Sequence, residues 1–202
     1  MGLKEIYEQN ALIPKRYQKE IALRPSQNDE QVFIELDNIK NNAKQFVDAG
    51  KNLLICSNSC GNGKTTFSIK ILKSYIEQVS NYSFKNDTPA IFINVNSFLN
   101  RMKLAITDPD IKAEVTDIEK KILSAKLVVF DDIADKTLSE YDMNTLYYWI
   151  DYRTSNLKSC IYTTNQLPSQ LSKTFNGKVY SRVVNYSDIK VITDGDNRGV
   201  NK

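Results

Sequence analysis

The chain has 202 residues, of which 41% are hydrophobic, 10% aromatic and 25% charged, which suits one domain with a sizeable core and excludes a disordered composition. The net charge of +3 is only mildly basic and does not by itself argue for nucleic acid, while the complete absence of histidine excludes Ser-His-Asp and Cys-His nucleophilic sites and histidine metal centres. Cys56, Cys60 and Cys160 have no paired spacing, no apolar run approaches the roughly 18 residues of a membrane span, and Met1 to Asn10 lacks an apolar leader core, so a reducing cytoplasm is expected.

In chain order, Met1 to Asp29 carries Pro14 and Pro25 and no sustained period, and reads as an arm of one short helix and an extended connector. Phe33, Leu36, Ile39, Ala43, Phe46 and Val47 recur at helical spacing and predict a helix from Glu30 to Ala49, with Gly50 where a C-cap belongs. Leu53 to Cys56 is a short apolar run, hence a buried strand. Thr65 to Val79 follows as a helix whose stripe is Phe67, Ile71, Leu72, Tyr75, Ile76 and Val79. Ala90 to Val95 is a second strand, and Ser97 is expected to cap a helix containing Phe98, Leu99, Met102 and Leu104. Asp108-Pro109 ends that helix, and Ile111 to Ala125 forms another. Leu127 to Phe130 is the third strand, Tyr141 to Arg153 a helix, Ser159 to Thr163 the fourth strand. Leu167 to Phe175 and Lys178 to Tyr186 read as short helices, Ile189 to Thr193 as a fifth strand and Asp194 to Lys202 as a polar tail. Apolar strands alternating with helices predict an α/β fold with a parallel sheet buried on both faces.

The junction of the first strand and its helix carries the most specific chemistry. Asn58-Ser59-Cys60-Gly61-Asn62-Gly63-Lys64-Thr65-Thr66 places a glycine-rich turn, a lysine and a hydroxyl between a buried strand and a helix start. Backbone N–H groups around Gly61 to Lys64 can turn inward onto phosphate oxygens, and the positive end of the following helix points at the same anion. Lys64 supplies charge to the β and γ phosphates and the Thr65 hydroxyl can ligate Mg²⁺, so ATP with Mg²⁺ is the expected ligand. Asn58 stands where this phosphate-loop pattern has its first glycine; asparagine is expected there as the residue best able to take a positive φ.

Asp131 and Asp132 end the third strand, the edge where open α/β sheets bind ligands. Beside a phosphate loop, Asp131 is expected to hold Mg²⁺ and Asp132 to orient or deprotonate an attacking water; a solvated acidic turn is the plainer alternative. Asn165, closing Thr163-Thr164-Asn165, can hydrogen-bond a γ-phosphate or water, or serve as a turn residue before Leu167-Pro168.

The order of these elements resembles the AAA+ ATPases of the DnaC/DnaI helicase-loader group, with IstB-like transposition helpers as near relatives. The likeness is carried by the phosphate loop, by Asp131-Asp132-Ile133-Ala134 through Leu146-Tyr147-Tyr148-Trp149-Ile150-Asp151-Tyr152-Arg153 to Thr163-Thr164-Asn165, by Ser181-Arg182 and by Gly195-Asp196-Asn197-Arg198. Ile13-Pro14-Lys15-Arg16-Tyr17 resembles the segment that enters the domain in such loaders, and the form of the loop is most similar to phage-encoded replication versions, which would work in a bacterial host's cytoplasm. The resemblance implies a P-loop NTPase core with a five-stranded parallel sheet of order 5-1-4-3-2, helices on both faces and no separate lid domain. It divides the chain into an arm (residues 1–29), an ATPase domain (30–198) and a tail (199–202). It implies Asn165 as the sensor residue, Arg182 as an arginine finger offered to a neighbouring subunit's ATP, and Arg198 as a second sensor near the nucleotide.

The same resemblance implies a Mg-dependent ATPase, slow and stimulated by assembly or DNA, that loads a replicative helicase onto single-stranded DNA and self-associates through a shared ATP site. Asp132 is one methylene shorter than the glutamate common at its position, which bears on hydrolysis. Bacterial loaders carry a separate helicase-binding domain, whereas most of the stretch before the loop reads as the domain's own first helix. Arg101, Lys103 and Lys112 are the candidates for a DNA-gripping surface, followed by Lys120, Lys121 and Lys126; lysines on helices are also ordinary solvated faces. The alternatives are a transposition helper that binds target DNA and a small-molecule kinase. A kinase would want an arginine-rich lid after the third strand, and residues 135–143 contain no arginine.

Overall fold

The structure is a computed structural model that describes residues 2–19, 22–23, 26–84, 87–134 and 138–193. After α1 (Leu3–Asn10) and a short 3₁₀ turn (Lys15–Tyr17) come α2 (Glu30–Asn41), α3 (Ala43–Asp48), β1 (Asn52–Cys56) and α4 (Lys64–Gln78). Next are β2 (Ala90–Asn94), α5 (Val95–Leu104), α6 (Pro109–Ser124), β3 (Leu127–Asp131), α7 (Glu140–Ser155) and β4 (Ser159–Thr164). The chain closes with α8 (Pro168–Thr174), α9 (Gly177–Tyr180), a π-helical turn (Ser181–Asn185) and β5 (Ser187–Val191).

The strands form one parallel sheet in the order β2-β3-β4-β1-β5, the expected 5-1-4-3-2 read from its other edge. Period-2 alternation sorts each strand onto two cores. Leu54, Cys56, Ile91, Ile93, Val128, Phe130 and Tyr162 face α5, α6, α7 and α8. Leu53, Ile55, Phe92, Val129 and Ile161 face α1, α2, α3 and α4. Because all five strands run the same way, Cys56, Asn94, Asp131, Thr164 and Val191 end at one edge, and that edge carries the site.

Several local expectations change. The helix read as continuous from Glu30 to Ala49 breaks at Asn42 (φ −112°, ψ 33°), whose amide bonds the Asn38 carbonyl at 2.9 Å; asparagine competes with the helix ladder through such local bonds. Gly50 takes φ 63°, as a C-cap requires, and a β-carbon there would lie 2.9 Å from the Leu157 carbonyl oxygen. Asn94, not Ser97, caps α5: its Oδ1 accepts from the Ser97 N–H at 3.1 Å, because the strand runs straight into the helix. Of the apolar residues on that helix, Phe98, Leu99 and Met102 are buried and Leu104 is exposed. The single helix expected from Lys178 to Tyr186 is α9 followed by the π turn.

The arm is packed, not loose. Tyr7 and Ala11 are fully buried, the Tyr7 hydroxyl donates to the Tyr82 carbonyl, and the Phe92 N–H donates to the Ala11 carbonyl at 2.8 Å, covering part of the exposed edge of β2. At the opposite rim from the site, Arg153 is fully buried. Its guanidinium donates to the carbonyls of Ile122 (2.6 Å), Ala125 (2.9 Å), Lys126 (3.2 Å) and Ser159 (2.6 Å), and its Nε lies 3.2 Å from Cys160 Sγ. Among the described residues no helix is long and apolar enough to cross a membrane. Cys56 and Cys160 are buried core thiols and burial pushes the Cys56 thiol up to about 11, while Cys60 is exposed in the loop.

Candidate functional site

The loop between β1 and α4 is held by its own side chains. Ser57 Oγ accepts from the Ser59 N–H at 3.0 Å and from the Asn62 amide, and the Ser57 N–H donates to the Thr164 carbonyl at 3.3 Å. The left-handed positions are Gly61 (φ 80°) and Gly63 (φ 97°). Asn58 does not take a positive φ, so the reason expected for asparagine there is wrong; with no left-handed backbone to accommodate, the position tolerates a side chain, and it is exposed. Lys64 is 5% exposed and its Nζ donates to the Ser59 carbonyl (2.7 Å) and Asn62 Oδ1 (3.0 Å). The loop thus curls around an ammonium that donates to two of its own neutral oxygens, weaker partners than a phosphate would be. Thr66 points elsewhere: with Tyr17, Lys70 and Lys73 it lines a cavity of about 420 Å³ between α4 and the arm.

The loop meets the carboxylates through Thr65. Its Oγ donates to Asp131 Oδ1 at 2.8 Å, and Thr163 Oγ donates to the same oxygen at 2.7 Å. Asp131 is 2% exposed, and burial raises its pKa above the ordinary carboxylate value against the pull of the Thr163, Thr65 and Asn94 hydrogen bonds and the Arg16 charge. A buried carboxylate oxygen beside a hydroxyl is a hard-oxygen pair that suits Mg²⁺, and a divalent cation would offset the burial cost; Asp131 and Thr65 therefore fit the metal assigned to them.

Asp132 sits at φ 55°, a left-handed position that aspartate tolerates at some strain. Its N–H donates to Thr163 Oγ at 3.0 Å and its Oδ2 accepts from the Asn94 amide at 3.3 Å. Asn94 also approaches Asp131 Oδ2 at 3.5 Å, and Asn96 donates to the Asp132 carbonyl at 3.3 Å. Asn94 and Thr163 were given no role from sequence. The signal for both is pairing: β2 and β3 set Asn94 opposite Asp131, and Thr163 follows Tyr162, which is opposite Phe130. Asn165 leaves the sheet directly after β4, at the edge where Ser57 and Asp132 also leave it.

These features together decide the architecture: a parallel sheet of order 2-3-4-1-5, a strand–loop–helix crossing with lysine and threonine at the helix start, and a paired carboxylate on the strand two places away. This is the AAA+ P-loop fold. Solved AAA+ structures agree over nearly the whole chain. The DnaC helicase loader matches with a TM-score of 0.70 at 23% identity, over 89% of this chain and 99% of that one. DnaI matches with 0.66 at 16%, over 93% and 95%. AMPPCP-bound DnaA from Aquifex aeolicus matches with 0.62 at 16%, over 90% of this chain and 51% of that one. No protein-family model matches the sequence, and no curated protein matches it.

The remaining candidates lie away from the loop and the paired aspartates, or outside the described residues. Arg182 lies on the π turn, where its Nε donates to Asp151 Oδ1 at 3.0 Å and its guanidinium carbon stands 5.4 Å from the Tyr186 ring centroid. Of the DNA candidates, Arg101 is bound by Glu114 across α5 and α6, and Lys103 by the buried Asp142 at 2.8 Å; Lys112 lies in the first half of α6. Of the lysines that follow them, Lys121 pairs with Asp117 at 2.8 Å. Arg198, its Gly195-Asp196-Asn197 neighbours and the tail lie outside the described residues.

Proposed function

We propose that this protein is a Mg-dependent ATPase of DNA replication that loads a replicative helicase onto single-stranded DNA, with ATP binding and hydrolysis as the switch. The observation that carries the nucleotide part is the junction of Lys64, Thr65, Asp131 and Thr163: a buried ammonium wrapped by a loop, followed by a threonine whose hydroxyl donates to a buried carboxylate. Gly61 to Thr65 cradle the phosphates, Lys64 exchanges its neutral acceptors for β and γ oxygens, and Thr65 with Asp131 holds Mg²⁺, which supplies charge neutralisation on the phosphates. Asp132 orients or deprotonates the attacking water once it turns from Asn94, and Asn165 bonds the terminal phosphate or that water. Arg182, by the sequence resemblance, acts on a neighbouring subunit's nucleotide; within its own chain it contacts Asp151 and Tyr186 and keeps 30% of its side chain exposed.

The replication part rests on the fold's likeness to a DnaC helicase loader over almost the full length of both chains, together with the sequence resemblance through Thr163-Thr164-Asn165. DnaA bound to AMPPCP and single-stranded DNA is a further structural neighbour, matching with a TM-score of 0.64 at 14% identity over 90% of this chain and 51% of that one. Arg101, Lys103 and Lys112 form the DNA-facing surface, the first two by trading Glu114 and Asp142 for phosphates.

The test is ATP hydrolysis with and without single-stranded DNA, combined with co-purification of the replicative helicase. Stimulation by DNA together with helicase capture is the expected result. Stimulation by DNA without helicase capture would move the reading to a transposition helper, and hydrolysis that responds only to a small-molecule acceptor would make it a kinase.

A further inference from the structure

The cavity that Thr66 faces has a chemistry of its own. It measures about 420 Å³, within the range of small-ligand sites, and its walls come from α1 and the Lys15–Tyr17 turn, from the end of α2 and from the outer face of α4. Small-ligand sites are mostly apolar with a few polar groups, whereas here Ile69 and the Tyr17 ring supply the apolar part. Five lysines and two glutamates line the space, an excess of three positive charges, as large as the net charge of the whole chain. Of the residues from Asn58 to Thr66, Thr66 is the one that lines it, so the Lys64 ammonium and this cluster of lysines serve different spaces.

Three of the five lysines, Lys40, Lys70 and Lys73, are half-buried. Gathering ammonium groups around one space costs free energy twice, through lost hydration and through mutual repulsion. Their partners within the chain offset that in part. Lys73 donates from Nζ to the carbonyls of Tyr17 (2.5 Å) and Gln18 (3.0 Å), Lys70 Nζ stands 5.9 Å from the centroid of the Phe67 ring, and Lys40 pairs with Asp37 at 2.7 Å. Asp37 is the one charged group among these partners. Of the two glutamates in the lining, Glu77 pairs with Lys4 at 3.1 Å. A ligand with several negative charges close together matches what remains.

We propose that this cavity is a second anion site, separate from the phosphate loop, that takes a compact oligophosphate: a small molecule with two or more adjacent phosphate groups. Lysine binds phosphate as a point charge with three donors, so several lysines around one space favour clustered phosphates over a single carboxylate. A space walled on three sides favours a small molecule over a nucleic-acid backbone, which runs along an open groove. The occupant joins the arm to α2 and α4, and so fixes the arm against the helix that carries Lys64 and Thr65. The site goes beyond the nucleotide reading and does not depend on it.

The test is calorimetric titration of the whole protein with sodium tripolyphosphate in EDTA, on a Lys64→Ala background that disables the loop. One tripolyphosphate should bind per chain, and adding Lys40→Gln and Lys70→Gln should weaken it by about tenfold or more, the worth of a charge-assisted hydrogen bond. The Lys40→Gln, Lys70→Gln protein with Lys64 intact should bind a non-hydrolysable ATP analogue with Mg²⁺ as the wild type does, which shows that it is folded and that the two sites are separate. ADP titrated into Lys64→Ala separates the sources of the phosphates: tighter binding than pyrophosphate assigns the site to a nucleoside oligophosphate, equal binding to the phosphates alone. If Lys64→Ala no longer binds tripolyphosphate, or binds it equally well after the two glutamine substitutions, the second site is overturned. A single-stranded oligonucleotide that displaces tripolyphosphate from Lys64→Ala would also overturn it, in favour of a backbone-binding groove. If the wild type fails to bind the Mg-analogue while Lys64→Ala binds tripolyphosphate, the nucleotide reading fails and the second site stands.

Discussion

Lys64 and Arg182 are two of the cations assigned to a triphosphate, and the molecule holds them in opposite ways. Lys64 is buried inside its own loop, its three-donor ammonium wrapped by a main-chain carbonyl and a side-chain amide. Arg182 sits on a π-helical turn with 30% of its side chain exposed, held by one carboxylate and one ring. The first arrangement is preorganised for a ligand that enters the same chain. The second is a single surface ion pair, weak enough to be exchanged for a better partner brought by another molecule. π-helical turns interrupt the regular ladder and recur at functional sites, which suits a residue that must be presented outward.

The sharpest way to break this comparison is Arg182→Ala. If the residue completes a neighbour's site, activity per molecule should rise with protein concentration in the wild type. The variant should lose that rise by a factor of about 10³ or more, the range seen for arginines supplied in trans. Mixing Arg182→Ala with Lys64→Ala subunits should restore part of the rate. A rate per molecule that is flat with concentration, and a mixture that stays inactive, would put both cations in one subunit's service.

Lys64→Ala comes next. Truncating one member of a buried charge pair costs about 2–5 kcal/mol, a factor of roughly thirty or more in Kd, so calorimetry should show ATP binding largely lost while circular dichroism keeps the native signal. Retained affinity would mean the loop's lysine serves only its present internal contacts. Asp132→Asn should then separate binding from chemistry: ATP affinity kept and single-turnover hydrolysis reduced by about 10². Loss of Mg-dependent binding in that variant, with Asp131→Asn binding normally, would reverse the two aspartates' roles.

A gentler probe is Asp151→Asn, which releases Arg182 without removing it. The expected change is a rise of at most several-fold in the assembly-dependent rate, with nucleotide binding unchanged; a fall would make Asp151 a required positioner of the finger. The smallest effect is on pH. Burial raises the Asp131 pKa, so the folded chain holds that proton more tightly than the unfolded one. The ionised carboxylate is then a cost to stability above the unfolded pKa, relieved as pH falls, and protons compete with the metal sooner than at an ordinary aspartate. Mg-dependent nucleotide affinity should therefore begin to fall on the acid side before Mg-independent affinity does, and Asp131→Asn should remove that difference.

The elements legible from sequence are those whose signal is local. Leu53 to Cys56 and Leu127 to Phe130 are continuous apolar runs because both faces of the sheet are covered, and Gly63-Lys64-Thr65 announces itself by spacing. What stayed hidden depends on pairs of residues far apart in the chain. Asn94 looks like the frayed end of a strand until β2 sets it opposite Asp131. Thr163 looks like one more β-branched residue until β4 carries it to both aspartates. Asn42 breaks a helix whose hydrophobic spacing runs on undisturbed, since periodicity records which face is buried and not whether the backbone is continuous. The π turn under Arg182 has no periodic signature at all, and Arg16-Tyr17 reads only as an entry segment until the arm is seen folded back over α4.

Arg153 has a mechanical consequence. One guanidinium ties the end of α6 to the starts of β3 and β4, while the other ends of those strands carry Asp131 and Thr163, about 15 Å away at roughly 3.3 Å per residue. A guanidinium anchored to four carbonyls works as a pivot pin: the two strands cannot slide past one another at that end.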